Sequence, residues 1–112
     1  MTENTVVGAL PETCRSLGYD SDEFIVCTVD PGVYRIALAL RDGGGQAIGS
    51  LAALPRAPGL LFSMNAGMYH EDKSPVGLYV ENGVELSPLN TDDAPGNFFM
   101  KPNGVFFVDK TG

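Results

Sequence analysis

The spacing of glycine and proline limits this chain more than any other feature. Fourteen glycines and eight prolines are scattered through 112 residues, and the longest window free of both, residues 19–30, is rich in β-branched and aromatic side chains. Proline removes a helix-interior N–H and clashes one turn back, while glycine inside a helix costs about 1 kcal/mol relative to alanine. A helix bundle is excluded. The expected fold class is α+β and strand-dominated: a largely antiparallel, twisted sheet of consecutive hairpins with at most one or two short helices.

A length of 112 residues favours one domain, and a hydrophobic content of 44% is enough to fill its core. Acidic residues outnumber basic ones 14 to 7, so the net charge of -7 repels phosphate backbones and anionic lipid surfaces. Nucleic acid and membrane partners are therefore disfavoured. No run approaches the roughly 18 uncharged apolar residues of a membrane span, and the opening MTENTVVGAL lacks the basic and then apolar regions of a signal peptide.

Residues 1–22 are polar and without a sustained period, which reads as an N-terminal arm; residues 23–112 form the domain. The run FIVCTV (24–29) reads as a strand ended by Asp30-Pro31-Gly32. The alternation of Tyr34, Ile36, Leu38 and Leu40 with more polar neighbours reads as a second strand pairing with it in a hairpin. Asp42-Gly43-Gly44-Gly45 is a further turn and not a phosphate loop, since neither a Lys-Ser/Thr nor a second glycine spacing follows. Ser50 is a candidate N-cap for one helical turn before Pro55. Residues 60–64 are apolar apart from Ser63, the composition of a strand buried at a sheet centre. Asn82-Gly83 and Asn103-Gly104 each sit between strand-like runs and mark hairpin turns, making a meander. Leu61, Phe62, Met64, Leu78, Val80, Phe99 and Val105 are the expected core. Residues 105–109 read as a strand, and Lys110-Thr111-Gly112 as a turn whose return strand is absent, which gives the expectation of a partial domain.

Cys14 and Cys27 fit no metal or redox spacing. They are either a disulfide tying the arm to the first strand, as an oxidising compartment would allow, or two separate thiols with Cys27 in the core. The densest polar chemistry follows the apolar run, in Asn65-Ala66-Gly67 and on through Tyr69, His70, Glu71 and Asp72. An Asn at a strand end followed by small residues presents an amide and backbone N–H groups to a ligand; the plainer alternative is an Asn satisfying its own turn. His70 is the side chain that titrates near neutral pH without perturbation, although a loop histidine is commonly just solvated. Lys101 is a candidate anion partner or an exposed hairpin residue. Phe98, Phe99, Phe106 and Phe107 read as packing, with a sugar-stacking platform as the alternative. No Ser-His-Asp or Cys-His arrangement is present, and no pattern singles out a carboxylate pair.

The strings FSMNAGMYHEDKSPVGLYVENGVELSPLN (62–90) and GNFFMKPNGVFFV (96–108) resemble the first half of the phosphodiester glycosidase family, whose members include enzymes removing N-acetylglucosamine from a sugar-phosphate-mannose diester. The upstream FIVCTVDPGVYRIALALRD (24–42) is similar to the strand pair preceding that block in bacterial members. The family's Asn-Gly-Gly-Phe-Phe-like motif falls on Asn65, Ala66, Gly67, Met68 and Tyr69, with Ala66 in place of a glycine as in short bacterial members; its central glycine falls on Gly77. The later motifs, an arginine-containing strand and an Asp-Gly-x-Ser segment, have no counterpart here.

The resemblance implies a hydrolase of sugar phosphodiesters or related glycosides. Catalysis would involve Asn65, His70 and Glu71, with Ala66, Gly67, Tyr69, Gly77, Asn97, Lys101 and Asn103 on the substrate, a carbohydrate or sugar phosphate. No cofactor is expected and no residue is singled out as a metal ligand. Export to the periplasm or outside the cell is implied too, which would suit a Cys14–Cys27 disulfide. The alternative is a non-catalytic carbohydrate-binding or assembly module, with self-association through an unpaired sheet edge.

Overall fold

A computed structural model describes residues 10–111, which divide after residue 35 into two units. Residues 1–9 of the expected arm, and Gly112 of the last turn, lie outside the described residues. The fold is strand-dominated: two separate antiparallel hairpins and two three-residue 3-10 turns make up its regular structure. Among the described residues no helix is long and apolar enough to cross a membrane.

The first unit is a hairpin of β1 (Cys14–Tyr19) and β2 (Asp22–Cys27), paired from Tyr19↔Asp22 to Cys14↔Cys27. Residues 14–19 are thus a strand rather than part of an arm. Asp20 (φ 48°) and Ser21 (φ 69°) both adopt left-handed backbone, the two-residue turn whose twist matches the strands it joins. The link contains no glycine, so its composition hides it; Asp tolerates this conformation through local hydrogen bonding. The Thr28 N–H donates to Thr13 O at 2.9 Å, which makes Cys14/Cys27 a non-hydrogen-bonded pair with side chains close together. A disulfide joins them. The pairing alternative for the two cysteines therefore holds, and the free-thiol alternative does not.

The expected partner of β2 at residues 34–41 forms no strand. Asp30 is the reason. Its carbonyl accepts from both Val33 (3.0 Å) and Tyr34 (2.9 Å), and its Oδ1 accepts from Gly32 N–H (2.8 Å), so the chain leaves in a helical-type turn that does not reverse onto β2.

In the second unit the Asp42 turn closes as its sequence suggests. Asp42 Oδ1 accepts from the amides of Gly44 (2.9 Å) and Gln46 (3.0 Å), Gly45 takes φ 82°, and Arg41 bridges Ala47. Ser50 caps the 3-10 turn Leu51–Ala53, its Oγ accepting from Ala53 N–H at 3.2 Å. The hairpin β3 (Tyr79–Glu81) and β4 (Val84–Ser87) turns at Asn82 (φ 51°) and Gly83 (φ 77°), with a bulge between Tyr79 and Val80.

Three expectations fail in this unit. Residues 60–64 form no strand, Leu60 N–H donating only to Ala57 O (3.1 Å), because apolar composition reports what a segment gains inside a sheet and not whether its neighbours are present. The Asn103-Gly104 hairpin does not form. Instead Asn97–Phe99 is a 3-10 turn, and Asn103 Nδ2 donates to Phe98 O at 3.1 Å, so a side-chain bond closes residues 98–103 where a strand ladder was expected. The expected core is not buried. Leu61, Phe62, Met64, Leu78, Val80 and Val105 are exposed, from 36% for Phe62 to 72% for Met64, and Phe99 is half-buried. No side chain among the described residues is fully buried, because two two-stranded sheets leave both faces open to water.

Candidate functional site

The polar segment after the apolar run begins in open backbone and ends in a tight loop. Asn65, Ala66 and Gly67 are exposed, and their backbone groups enter no hydrogen bond with the described chain. The loop then closes: Val76 N–H donates to Met68 O (3.1 Å), Tyr69 bridges Pro75, His70 N–H donates to Ser74 O (2.8 Å), and Lys73 N–H to His70 O (2.9 Å). Lys73 takes φ 72° at the tip, and its ammonium lies 5.0 Å from the Tyr69 ring centroid, a cation–π distance. Asp72 accepts from the Ser74 hydroxyl and from its amide (2.9 Å). The hydroxyl bond first, then the amide bond, hold the Asp72 carboxyl below its ordinary value, with a smaller contribution from the charge of His70. This ties Asp72 to the loop's own geometry. His70 and Glu71 project into solvent beside it.

Two further segments meet the chain where this loop ends, at Val76 and Gly77. A methyl group at Gly77 would meet Phe98 Cζ at 2.8 Å and Cε2 at 2.9 Å, so the ring occupies the space that a side chain at 77 would take. Phe98 in turn meets Phe99 edge-to-face with centroids 5.0 Å apart. Asn90 Nδ2 donates to Val76 O (3.1 Å), and its Oδ1 accepts from Asp92 N–H (3.0 Å). Lys101 Nζ reaches Asp93 Oδ1 at 2.6 Å and Thr91 O at 3.4 Å. The charge expected to meet an anion is thus already matched by a carboxylate, on a surface where such pairs contribute little stability.

Between these segments lies a shallow cleft of about 290 Å³ lined by Val76, Ser87, Pro88, Leu89, Asn90, Thr91 and Asp92. The structure therefore brings Gly77, Asn97, Lys101 and Asn103 into one neighbourhood through Phe98, Asp93 and Asn90, and places Tyr69 in the loop that adjoins it. None of the residues expected at the site, neither Asn65, His70 and Glu71 nor Ala66, Gly67, Tyr69, Gly77, Asn97, Lys101 and Asn103, is among the cleft's lining residues. Asn90 and Asp93 were not singled out by sequence reasoning for a site, and Phe98 was read as packing with a sugar-stacking platform as the alternative. Asn90-Thr91-Asp92 carried the one available signal, an Asn two residues before a backbone N–H it can bond. Among the described residues no three His, Cys, Asp or Glu side chains gather as a metal centre requires.

No family model matches the chain, and no solved structure matches it. The chain is 41% identical over 91 residues to YigE of Escherichia coli (strain K12), an uncharacterised protein. The match takes in 76% of this chain and 36% of YigE, so the chain spans about a third of that relative's length.

Proposed function

We propose that this chain carries part of the pocket of a hydrolase of sugar phosphodiesters or related glycosides, of the phosphodiester glycosidase type. One observation carries the reading: the two segments that bear the resemblance, around residues 65–77 and 96–104, fold against each other where the Phe98 ring fills the space over Gly77. A side chain at position 77 would have to displace the edge of that ring. The unpaired N–H groups of residues 65–67 are donors for phosphate or sugar oxygens, and Asn65 adds an amide that can both donate and accept. His70 and Glu71 are the acid/base candidates at the same loop. The Cys14–Cys27 disulfide supports a periplasmic or secreted setting, where such bonds persist.

Turnover of a model sugar phosphodiester tests it. The 112-residue chain alone should show weak turnover or none, since Asn65, His70 and Glu71 stand in open solvent without an enclosing wall. In a polypeptide joining this chain to the part of YigE that it does not match, Asn65→Ala should lower kcat/KM at least about tenfold, roughly 1.4 kcal/mol of transition-state stabilisation, with Tm little changed. Unchanged turnover with a lowered Tm would make Asn65 a turn residue and end the assignment.

A second reading, a non-catalytic carbohydrate-binding or assembly module, is favoured by Phe106 and Phe107, whose rings are 84% and 73% exposed. Bare aromatic faces stack on sugar rings, and the open sheet edges of both hairpins accept another strand. Saturable sugar binding that Phe106→Ala abolishes, with no turnover in the joined polypeptide, would favour this reading.

A further inference from the structure

The two Asn-Gly pairs have the same sequence and different backbone settings. At Asn82-Gly83 both residues take left-handed backbone, φ 51° and 77°, and the flanking strands pair through Glu81↔Val84 and Tyr79↔Ser87. Asn103-Gly104 lies in no hairpin, and neither of its residues has a positive φ. Among the described residues, the backbone of residues 101–108 forms no backbone–backbone hydrogen bond, and a Cβ at Gly104 would meet nothing within 4 Å. What holds this pair is the bond from Asn103 Nδ2 to Phe98 O (3.1 Å), made by an exposed side chain.

Asparagine followed by glycine has a reaction of its own. The glycine N attacks the asparagine Cγ and a new C–N bond closes a succinimide ring; the Cγ–Nδ2 bond breaks, and ammonia leaves with the proton of the attacking N–H. Water then adds to one of the two ring carbonyls and opens the ring. Opening on one side leaves aspartate, and on the other an isoaspartyl link whose backbone is one carbon longer. Solvent water is the sole co-reactant. Closure requires the asparagine ψ to rotate until the next N faces Cγ, which glycine permits because no Cβ crowds the approach. At Asn82 that rotation has to break the ladder that fixes the turn. At Asn103 it has to break one exposed side-chain hydrogen bond, which slows closure by at most about tenfold.

We propose that Asn103-Gly104 is a site of spontaneous modification, at which Asn103 passes through a succinimide to aspartate and isoaspartate while Asn82-Gly83, held by its hairpin, is spared. The product carboxylate cannot donate to Phe98 O, so the bond that closes residues 98–103 is lost beside the ring that lies against Gly77. The inference stands on the backbone and chemistry of the two pairs, apart from the glycosidase reading.

The test is peptide mapping by mass spectrometry of the 112-residue chain held at neutral pH, which reads at each asparagine the mass gain of an amide turned to an acid. In the folded chain Asn103 should convert at least about threefold faster than Asn82, into two products of equal mass that chromatography separates. In concentrated urea, where the hairpin is gone, the two rates should draw together. Gly104→Ala has open space for its methyl group, and by crowding the attacking nitrogen it should slow conversion at Asn103 at least about tenfold with the Asn82 rate unchanged. Conversion at Asn82 as fast as at Asn103 in the folded chain, or no conversion at Asn103 over the time in which the chain in urea converts, would overturn the proposal. So would a single product at Asn103, or a rate there that Gly104→Ala leaves unchanged.

Discussion

The disulfide should decide whether the first hairpin exists at all. Cys14 and Cys27 close a loop with a sequence separation of 13, and linking them removes chain entropy from the unfolded ensemble worth about 3 kcal/mol. Little else is available. The cross-strand pairs Leu17↔Phe24 and Arg15↔Val26 contribute about 0.2–1 kcal/mol each, no side chain of the hairpin is buried, and a lone two-stranded hairpin is marginal in water. Loss of about 3 kcal/mol lowers the folded-to-unfolded ratio of the hairpin by a factor of about 150, enough to leave it mostly unfolded. The register makes this measurable residue by residue. With Cys14/Cys27 a non-hydrogen-bonded pair, the amides of Arg15, Leu17, Phe24 and Val26 point into the ladder and those of Ser16 and Ile25 point out. Amide exchange followed by NMR should show the first group protected in the oxidised chain and unprotected after reduction, or in the Cys14→Ser/Cys27→Ser double variant. The hairpin of β3 and β4 has no cysteine and serves as the internal control. Protection of Arg15 and Val26 that survives reduction would refute the argument.

Other outcomes follow from the second unit. Burial, and then the charge and hydrogen bond of Glu81, push the Tyr79 hydroxyl from 10.0 up to about 12. The unfolded chain therefore releases this proton first, and the hairpin should lose stability as pH rises from about 10 to about 12; Tyr79→Phe should remove that dependence in a pH series of hairpin protection. Gly77→Ala should push the Phe98 ring aside, and because the ring is only half-buried, the cost should be about 1 kcal/mol, at the low end for overpacking, read as faster exchange of the Val76 amide. Unchanged exchange there would show that Phe98 does not hold the loop. Ser74→Ala should raise the Asp72 carboxyl toward its ordinary value in a carboxyl-detected NMR titration, since the Ser74 hydroxyl is the largest cause of its lowering.

The parts of the fold legible in the sequence are those fixed within a few residues. Asn82-Gly83 needs only its own backbone preference, Asp42 and Asp30 bond amides two to four residues away, and Ser50 caps the turn that it precedes. β1 was hidden because Asp20 and Ser21 reach left-handed backbone without a glycine to announce it. Residues 60–64 misled for the opposite reason: their composition states a preference for burial that needs distant strands to be met. Of the candidate site, the loop from Asn65 to Asp72 was visible as a density of polar residues. Its link to Phe98, whose ring edge lies against Gly77, depends on tertiary approach that no spacing encodes.

The nearly bare rings of Phe106 and Phe107 also set how this polypeptide behaves in a crowded cell. Val105-Phe106-Phe107-Val108 combines strong strand preference with no charge, the pattern of an aggregation-prone segment, and it is bracketed by Pro102 on one side and by Asp109-Lys110 on the other. Such flanking residues act as gatekeepers, slowing the stacking of identical segments without hiding them. Exposed in this way, the segment displays the kind of apolar surface by which chaperones and proteases recognise unfinished proteins.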